Sequence, residues 1–384
     1  MENLFLDPTL IIILAGLIGF FMAFGIGAND VANAMGTSVG SKAITLRQAV
    51  IIAAIFEFLG AYFAGGEVTS TIRKGIVDPS IYSNDVNIFI IGMLSSLLAA
   101  GLWLLIASSK GWPVSTTHSI VGAIVGFVLI SKGASNVSWG TVGGIASSWI
   151  TSPLVSGLMA FLLYLSAKHL ILDRNNPTKA AVSVIPFYSF FVTAVICLVT
   201  ARKGLKHVGI NWTDNEIYLF TFVLSLLVSV FTFLFLLLKS SKLSSNVENQ
   251  FGILMIITAC AMAFAHGSND VANAIGPIAA IVSIVTSDGT IQTSSELNSW
   301  VLLLGAVGIV FGLAILGRHV IKTVGEKITT LTPSLGFSAN MATASTVLAA
   351  SYLGFPISTT HTLVGGVIGV GLARGYKYLD LNSI

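Results

Sequence analysis

The stretch Gly27-Ala28-Asn29-Asp30-Val31-Ala32-Asn33-Ala34-Met35-Gly36 closes an apolar run and sets an acid at a depth where only hydrocarbon is expected. It recurs as Gly267-Ser268-Asn269-Asp270-Val271-Ala272-Asn273-Ala274-Ile275-Gly276, 240 positions on and again directly after an apolar run. A second motif follows each copy: Pro113-Val114-Ser115-Thr116-Thr117-His118, then Pro356-Ile357-Ser358-Thr359-Thr360-His361, 243 positions later. Two unrelated motifs recurring in the same order at nearly one offset make the chain an internal duplication. Paired polar motifs inside apolar sequence are the pattern of a transporter built from two related halves.

The rest of the 384 residues fit a membrane setting. Hydrophobic residues make up 54% of the chain and charged residues 9%, with a mean hydropathy of +0.90, far from the roughly 25% charged residues of soluble domains. The apolar runs are long and continuous, which helices satisfy in lipid and short alternating barrel strands do not resemble. The fold class expected is an all-α polytopic membrane protein. The net charge of +3 comes from short basic loops such as Arg73-Lys74 and Arg202-Lys203-Lys206. A concentrated basic face is missing, so nucleic acid is excluded as a partner. Cys197 and Cys260 lie inside apolar runs and read as small buried hydrophobes. The acidic start, Met1 to Pro8, lacks the basic region of a cleaved signal peptide.

A span takes about 20 apolar residues. Runs near 9–27, 46–65, 86–108, 113–131, 141–167, 181–201 and 216–239, then 250–266, 271–286, 298–317, 334–353 and 356–373, predict about 11–12 membrane segments. The organisation expected is a first transmembrane repeat over 1–167, an inter-repeat connection with two spans over 168–250, and a second repeat over 251–384. With seven spans ahead of the second copy, the repeats are inverted. Gly25, Gly27, Gly36 and Gly40 around the first Asn-Asp pair, and Gly267 and Gly276 around the second, predict that both helices unwind there and open a pocket. Basic residues fall in loops on both sides, so charge does not set the orientation.

The chemistry follows from residue type. Intramembrane carboxylates are costly and mark ion or substrate paths, and few Lys or Arg lie within spans to pair with Asp30 and Asp270. On a helix, Asn29, Asp30 and Asn33, and likewise Asn269, Asp270 and Asn273, turn their oxygens to one face. Hard oxygen ligands suit Na⁺ better than Zn²⁺ or Cu; a protonated Asp is the rival reading. In the second motif, proline and a Ser or Thr cap begin a half-helix whose free N–H groups and positive dipole end attract an oxyanion. Ser115, Thr116, Thr117, Ser358, Thr359 and Thr360 are the candidate anion donors, although such hydroxyls also bond to backbone within membrane helices. His118 and His361 would gate, donate to the anion or cap carbonyls; no Gly-x-Ser-x-Gly elbow supports catalysis. Glu57 is a further cation ligand or the partner of Arg47 or Lys42. Arg73, Lys74, Arg318 and Lys322 read as membrane-edge residues that snorkel. Two carboxylates and an anion share a dry pocket only with cations between them, and that interdependence is the coupling a symporter needs.

Gly27-Ala-Asn-Asp-Val-Ala-Asn-Ala, Thr45-Leu-Arg-Gln-Ala with Ile55-Phe-Glu, Thr71-Ile-Arg-Lys-Gly, Pro113-Val-Ser-Thr-Thr-His and the second set from Gly267 and Pro356 resemble the inorganic phosphate transporter (PiT) family along nearly the whole chain. The resemblance implies two inverted repeats with broken helices and re-entrant helical hairpins in the cell (plasma) membrane. It further implies a phosphate carrier driven by Na⁺ or H⁺, with the signature Asp and Asn residues on cations and the Ser-Thr-Thr segments on phosphate. Relatives of that family include proton-coupled carriers of metal–phosphate complexes and sulfate permeases; an anion channel is the reading from another class. The lack of a long hydrophilic central loop points to a microbial form. Expected partners are inorganic phosphate, Na⁺ and the lipid bilayer, with a homo-oligomer left open and no cofactor beyond Na⁺ as coupling ion. Thr37 stands where the second copy has Pro277, and Ala28 where it has Ser268, so the two cation sites need not be equivalent.

Overall fold

The computed structural model describes residues 4, 6–204, 210–239, 246–291, 297–321 and 331–375. The basic positions Lys206 and Lys322 lie outside the described residues, and of Lys203 only the backbone is described. Among the described residues the regular structure is helical: α1 (Pro8–Gly40), α2 (Leu46–Ala64), α3 (Gly66–Lys74), α4 (Val86–Ser109), α5 (Thr116–Lys132), α6 (Trp139–Ala167), α7 (Pro177–Val199), α8 (Asp214–Lys239), α9 (Glu248–Thr286), α10 (Ser299–Gly312), α11 (Pro333–Tyr352) and α12 (Thr359–Arg374). Among the described residues, eight stretches are long and apolar enough to span a bilayer. The larger count expected from sequence is approached only by adding the shorter or less apolar α5, α11 and α12. The runs 250–266 and 271–286 are one helix, α9.

Local sequence sets the helix ends. Asp7 accepts the Thr9 N–H at 2.9 Å with Pro8 in the first turn of α1. Thr45 and Gln48 form a reciprocal cap on α2. Glu248, at the start of α9, accepts both the Ser334 N–H (2.8 Å) and its hydroxyl (2.7 Å), placing a carboxylate at the positive end of α11. Two helical hairpins, α4–α5 and α11–α12, turn at Gly111 (φ 68°) and Gly354 (φ 74°), a backbone region that costs glycine nothing. Ser115 and Ser358 then cap α5 and α12, each accepting the N–H of the histidine three residues on, at 3.2 Å.

Helices α1 and α9 carry the duplicated Asn-Asp motif and run antiparallel. Gly19 of α1 lies against Ile278 of α9, whereas Asp30 meets His266 and Asp270. Equivalent helices crossing in opposite directions are the geometric signature of inverted repeats. Their surroundings match too: α1 packs on α4 and α10, α9 on α11 and α2, and each hairpin pairs within itself. Large apolar side chains such as Leu17, Ile150, Leu158, Phe187, Leu227 and Phe231 are exposed on the outside, as a lipid-facing belt requires.

One expectation is corrected. The helices do not unwind at the motif: α1 and α9 are continuous through it over 33 and 39 residues. The glycines serve helix approach instead. A Cβ on Gly27 would fall on the Ile309 carbonyl of α10, and one on Gly267 on the Glu57 carbonyl of α2, the contact by which small residues bring membrane helices together. The chain is interrupted instead at 110–115 and 353–358, before each Ser-Thr-Thr segment.

Candidate functional site

Asp30, Asn33, Asp270 and Asn273 lie at the crossing of α1 and α9, all 2% exposed or less. The hairpin threonines reach them from both sides. Thr116 Oγ1 donates to Asp30 Oδ2 and Thr359 Oγ1 donates to Asp270 Oδ2, each at 2.8 Å. The next residue crosses between repeats: Asn33 Nδ2 donates to Thr360 Oγ1 (2.8 Å), and Asn273 Nδ2 to Thr117 Oγ1 (3.1 Å). Thr117 and Thr360 in turn donate to the carbonyls of Ile357 and Val114 at the tip of the opposite hairpin. Four hydroxyls thus knit two carboxylates, two amides and both hairpins into one buried polar core.

Asn29 and Asn269 sit at the same crossing but grip backbone. Asn29 accepts the Val114 N–H (3.0 Å) and donates to the Trp112 carbonyl (2.8 Å); Asn269 accepts from Ile357 (3.2 Å) and donates to Phe355 (3.1 Å). Each fixes a hairpin tip against its own motif helix, satisfying backbone groups that would otherwise be orphaned in the bilayer.

His266 is the residue that motif reading missed. It is fully buried one turn ahead of Asp270, with Nε2 3.0 Å from Asp270 Oδ2 and 3.9 Å from Asp30 Oδ2, and Nδ1 3.2 Å from Glu57 Oε1. Asp30, His266 and Asp270 offer ligand atoms within 4.8 Å of one another. Its signal was a histidine inside an apolar run, four residues before a motif acid and so on the same helix face. Glu57, also fully buried, faces His266 and not Arg47 or Lys42. At the matching contact, Ile26 of the first repeat stands where the second has His266, and Ile309 of the second stands where the first has Glu57, both buried. The doubled site is therefore asymmetric in charge.

The histidines of the second motif lie further out. His118 and His361 have ring centroids 4.8 Å apart, and His118 abuts the Trp149 ring. Both line a cavity of about 660 Å³ that reaches Ser115, Ser119 and Thr360. A second cavity, of about 300 Å³ between α6, α11 and the 353–357 turn, reaches Ser152, Phe355 and Ile357 at the other hairpin. Ser115 opens on the first cavity, whereas Ser358 is 1% exposed. Both serine side chains are turned to their own helix caps.

Known proteins share this sequence and architecture. The profile of the "Phosphate transporter family" matches residues 26–383. A Haemophilus influenzae protein named "Putative phosphate permease" is 51% identical over 377 residues, spanning 97% of this chain and 90% of its own. A Thermococcus kodakarensis protein of the same description is 44% identical over 381 residues, spanning 99% and 92%. A solved structure titled "The sodium-dependent phosphate transporter" superposes with a TM-score of 0.88 at 44% identity, covering 97% of this chain and 92% of that one.

Proposed function

Because the chain belongs to the phosphate transporter family, we propose that it imports inorganic phosphate across the plasma membrane as a secondary-active symporter driven by Na⁺. The observation that carries this reading is the pairing of each buried carboxylate with a hairpin threonine at the crossing of the two repeats. Asp30, Asn33, Asp270 and Asn273 receive Na⁺, hard oxygen groups suited to that ion. A cation there takes over the charge that the threonine hydroxyls now meet. Thr116, Thr117, Thr359 and Thr360 then turn to the anion, beside two helix N-termini capped by Ser115 and Ser358. Asn29 and Asn269 hold the hairpins in register, and His118 and His361 flank the approach. Ion and anion binding each require the other, which is coupling in the thermodynamic sense. The sodium-dependent relative of the same architecture supports Na⁺ as the ion.

The test is uptake of radiolabelled phosphate into proteoliposomes. An inward Na⁺ gradient is expected to drive accumulation above the outside concentration, with excess sulfate without effect. Accumulation driven by a pH gradient with Na⁺ replaced by K⁺ would make H⁺ the coupling ion. Inhibition by sulfate would change the cargo, and equilibration without accumulation would make the protein a channel.

A further inference from the structure

The polar core at the crossing of α1 and α9 leaves the two motif histidines unused. His118 lies in the first turn of α5 and His361 in the first turn of α12; α5 packs on α4, whereas α12 packs on α6 and α11. Their imidazoles meet between the hairpins, with ring centroids 4.8 Å apart and ring planes at 65°. Trp149 abuts His118 edge-on, its ring centroid 3.7 Å away, and holds that ring in place. His118 Nε2 is buried and has no hydrogen-bond partner among the described residues. A buried nitrogen without a partner carries a desolvation cost that a ligand removes. His361 is exposed to the cavity of about 660 Å³ that both rings line, room for several waters at about 30 Å³ each. No carboxylate, lysine or arginine stands among the lining residues. Two of its hydroxyls are engaged locally: Ser115 accepts the His118 N–H, and Ser119 donates to the Ser115 carbonyl at 2.9 Å. The imidazole nitrogens are the strongest ligands that the cavity offers.

Neutral imidazole suits Zn²⁺, Ni²⁺ and Cu²⁺, whereas Mg²⁺ and Ca²⁺ prefer oxygen. Two imidazoles that share one ion at about 2 Å have ring centroids roughly 5 Å apart, close to the spacing of His118 and His361. We propose that these two histidines form a binding site for a transition-metal dication of the Zn²⁺ and Ni²⁺ class, completed by water from the cavity. The ion takes one ligand from each hairpin and so bridges them. Alternating access moves one bundle against the other around the central site, and a bridged pair of hairpins resists that movement. The metal is therefore a brake on the carrier. Binding stands on the geometry of the two rings alone, while the block on uptake rests on the transport reading given above.

The full chain, with any affinity tag removed, is titrated with Ni²⁺ by calorimetry in saturating Na⁺ without phosphate. It is then reconstituted for phosphate uptake with Ni²⁺ on both faces of the membrane. Wild type is expected to bind one Ni²⁺ at this place that Mg²⁺ does not displace. His118→Gln and His361→Gln should each weaken it about tenfold or more, at least the loss that follows when a metal ligand's supporting contacts are removed. Any Ni²⁺ held by Asp30, His266 and Asp270 persists in both variants, which separates the two places. Uptake by wild type should fall at the Ni²⁺ concentrations that fill the site and return with a chelator. Each variant, scaled to its own Ni²⁺-free rate, should tolerate about tenfold more Ni²⁺. Weakened binding in the variants upholds the site even where no phosphate uptake is measured, and it is then the transport reading that fails. Either variant alone tests the site should the other not fold. Equal Ni²⁺ affinity in wild type and every folded variant would overturn the site. Uptake unaffected by bound Ni²⁺, or Ni²⁺ carried into the vesicles with phosphate, would overturn the bridge.

Discussion

Replacing Asp30 by Asn removes one charge from the crossing, together with the carboxylate oxygen that accepts from Asn33 Nδ2 at 3.2 Å. The shapes match, and Thr116 can still donate to the amide oxygen that replaces Asp30 Oδ2, its acceptor at 2.8 Å. The magnitude follows from the spacing. Asp30 and Asp270 oxygens and His266 lie within 4.8 Å of one another, and unit charges at that separation interact by roughly 3 kcal/mol at an effective dielectric of about 20. A cation bound in the cluster loses attraction of that order, which is about a hundredfold in affinity. The assay is phosphate uptake in proteoliposomes at fixed phosphate with Na⁺ varied. The expected result is a half-activating Na⁺ concentration raised about a hundredfold, with uptake partly restored at the highest Na⁺. Asp270→Asn is expected to do at least as much, because it also strips His266 of its carboxylate at 3.0 Å. Unchanged Na⁺ activation in Asp30→Asn, with normal protein in the membrane, would remove that carboxylate from the cation site.

Other substitutions test separate parts. Ser115→Ala and Ser358→Ala each lose an N-cap that accepts a histidine N–H at 3.2 Å, worth about 1 kcal/mol; the half-saturating phosphate concentration should rise about fivefold in uptake assays. Glu57→Gln should alter the Na⁺ activation curve, since it removes the carboxylate 3.2 Å from His266 Nδ1. Ile309→Val, at the matching place in the other repeat, should leave that curve unchanged. Gly27→Ala and Gly267→Ala would press a methyl onto the backbone of α10 and α2, a cost of about 1–3 kcal/mol or more, read as a lower midpoint in thermal unfolding of the detergent-solubilised protein. Gly122→Ala and Gly126→Ala, in α5 with nothing within 4 Å of the added atom, should leave that midpoint unchanged or raise it, by helix propensity.

The sequence exposed the duplication because the motifs that carry charge and hydroxyls cannot drift freely inside a bilayer. The acid of each Asn-Asp pair and the threonines of each half-helix meet as their types predicted. What escaped was tertiary. Gly27 and Gly267 read locally as places to unwind, and only the contacts with Ile309 and Glu57, each far away in the chain, reveal them as points of close helix approach. Asn29 and Asn269 look like Asn33 and Asn273 in the motif, yet the hairpin tips draw them to backbone. His266 has no counterpart in the first copy, so a search by repetition passed over it. Arg73 followed the composition of an edge residue, but α9 and the turn before α4 enclose it.

The pairing of His266 with Glu57 on one side, against Ile26 and Ile309 on the other, bears on what happens when the two halves exchange their shapes. Were the halves identical, the outward and inward forms would be related by a two-fold rotation and equal in energy, and an unloaded carrier would divide its time evenly between them. With an ionisable pair at only one of the two matching contacts between the halves, the forms differ in energy. The unloaded carrier then has a favoured resting face, so its return stroke and its loading stroke run at rates that differ with direction.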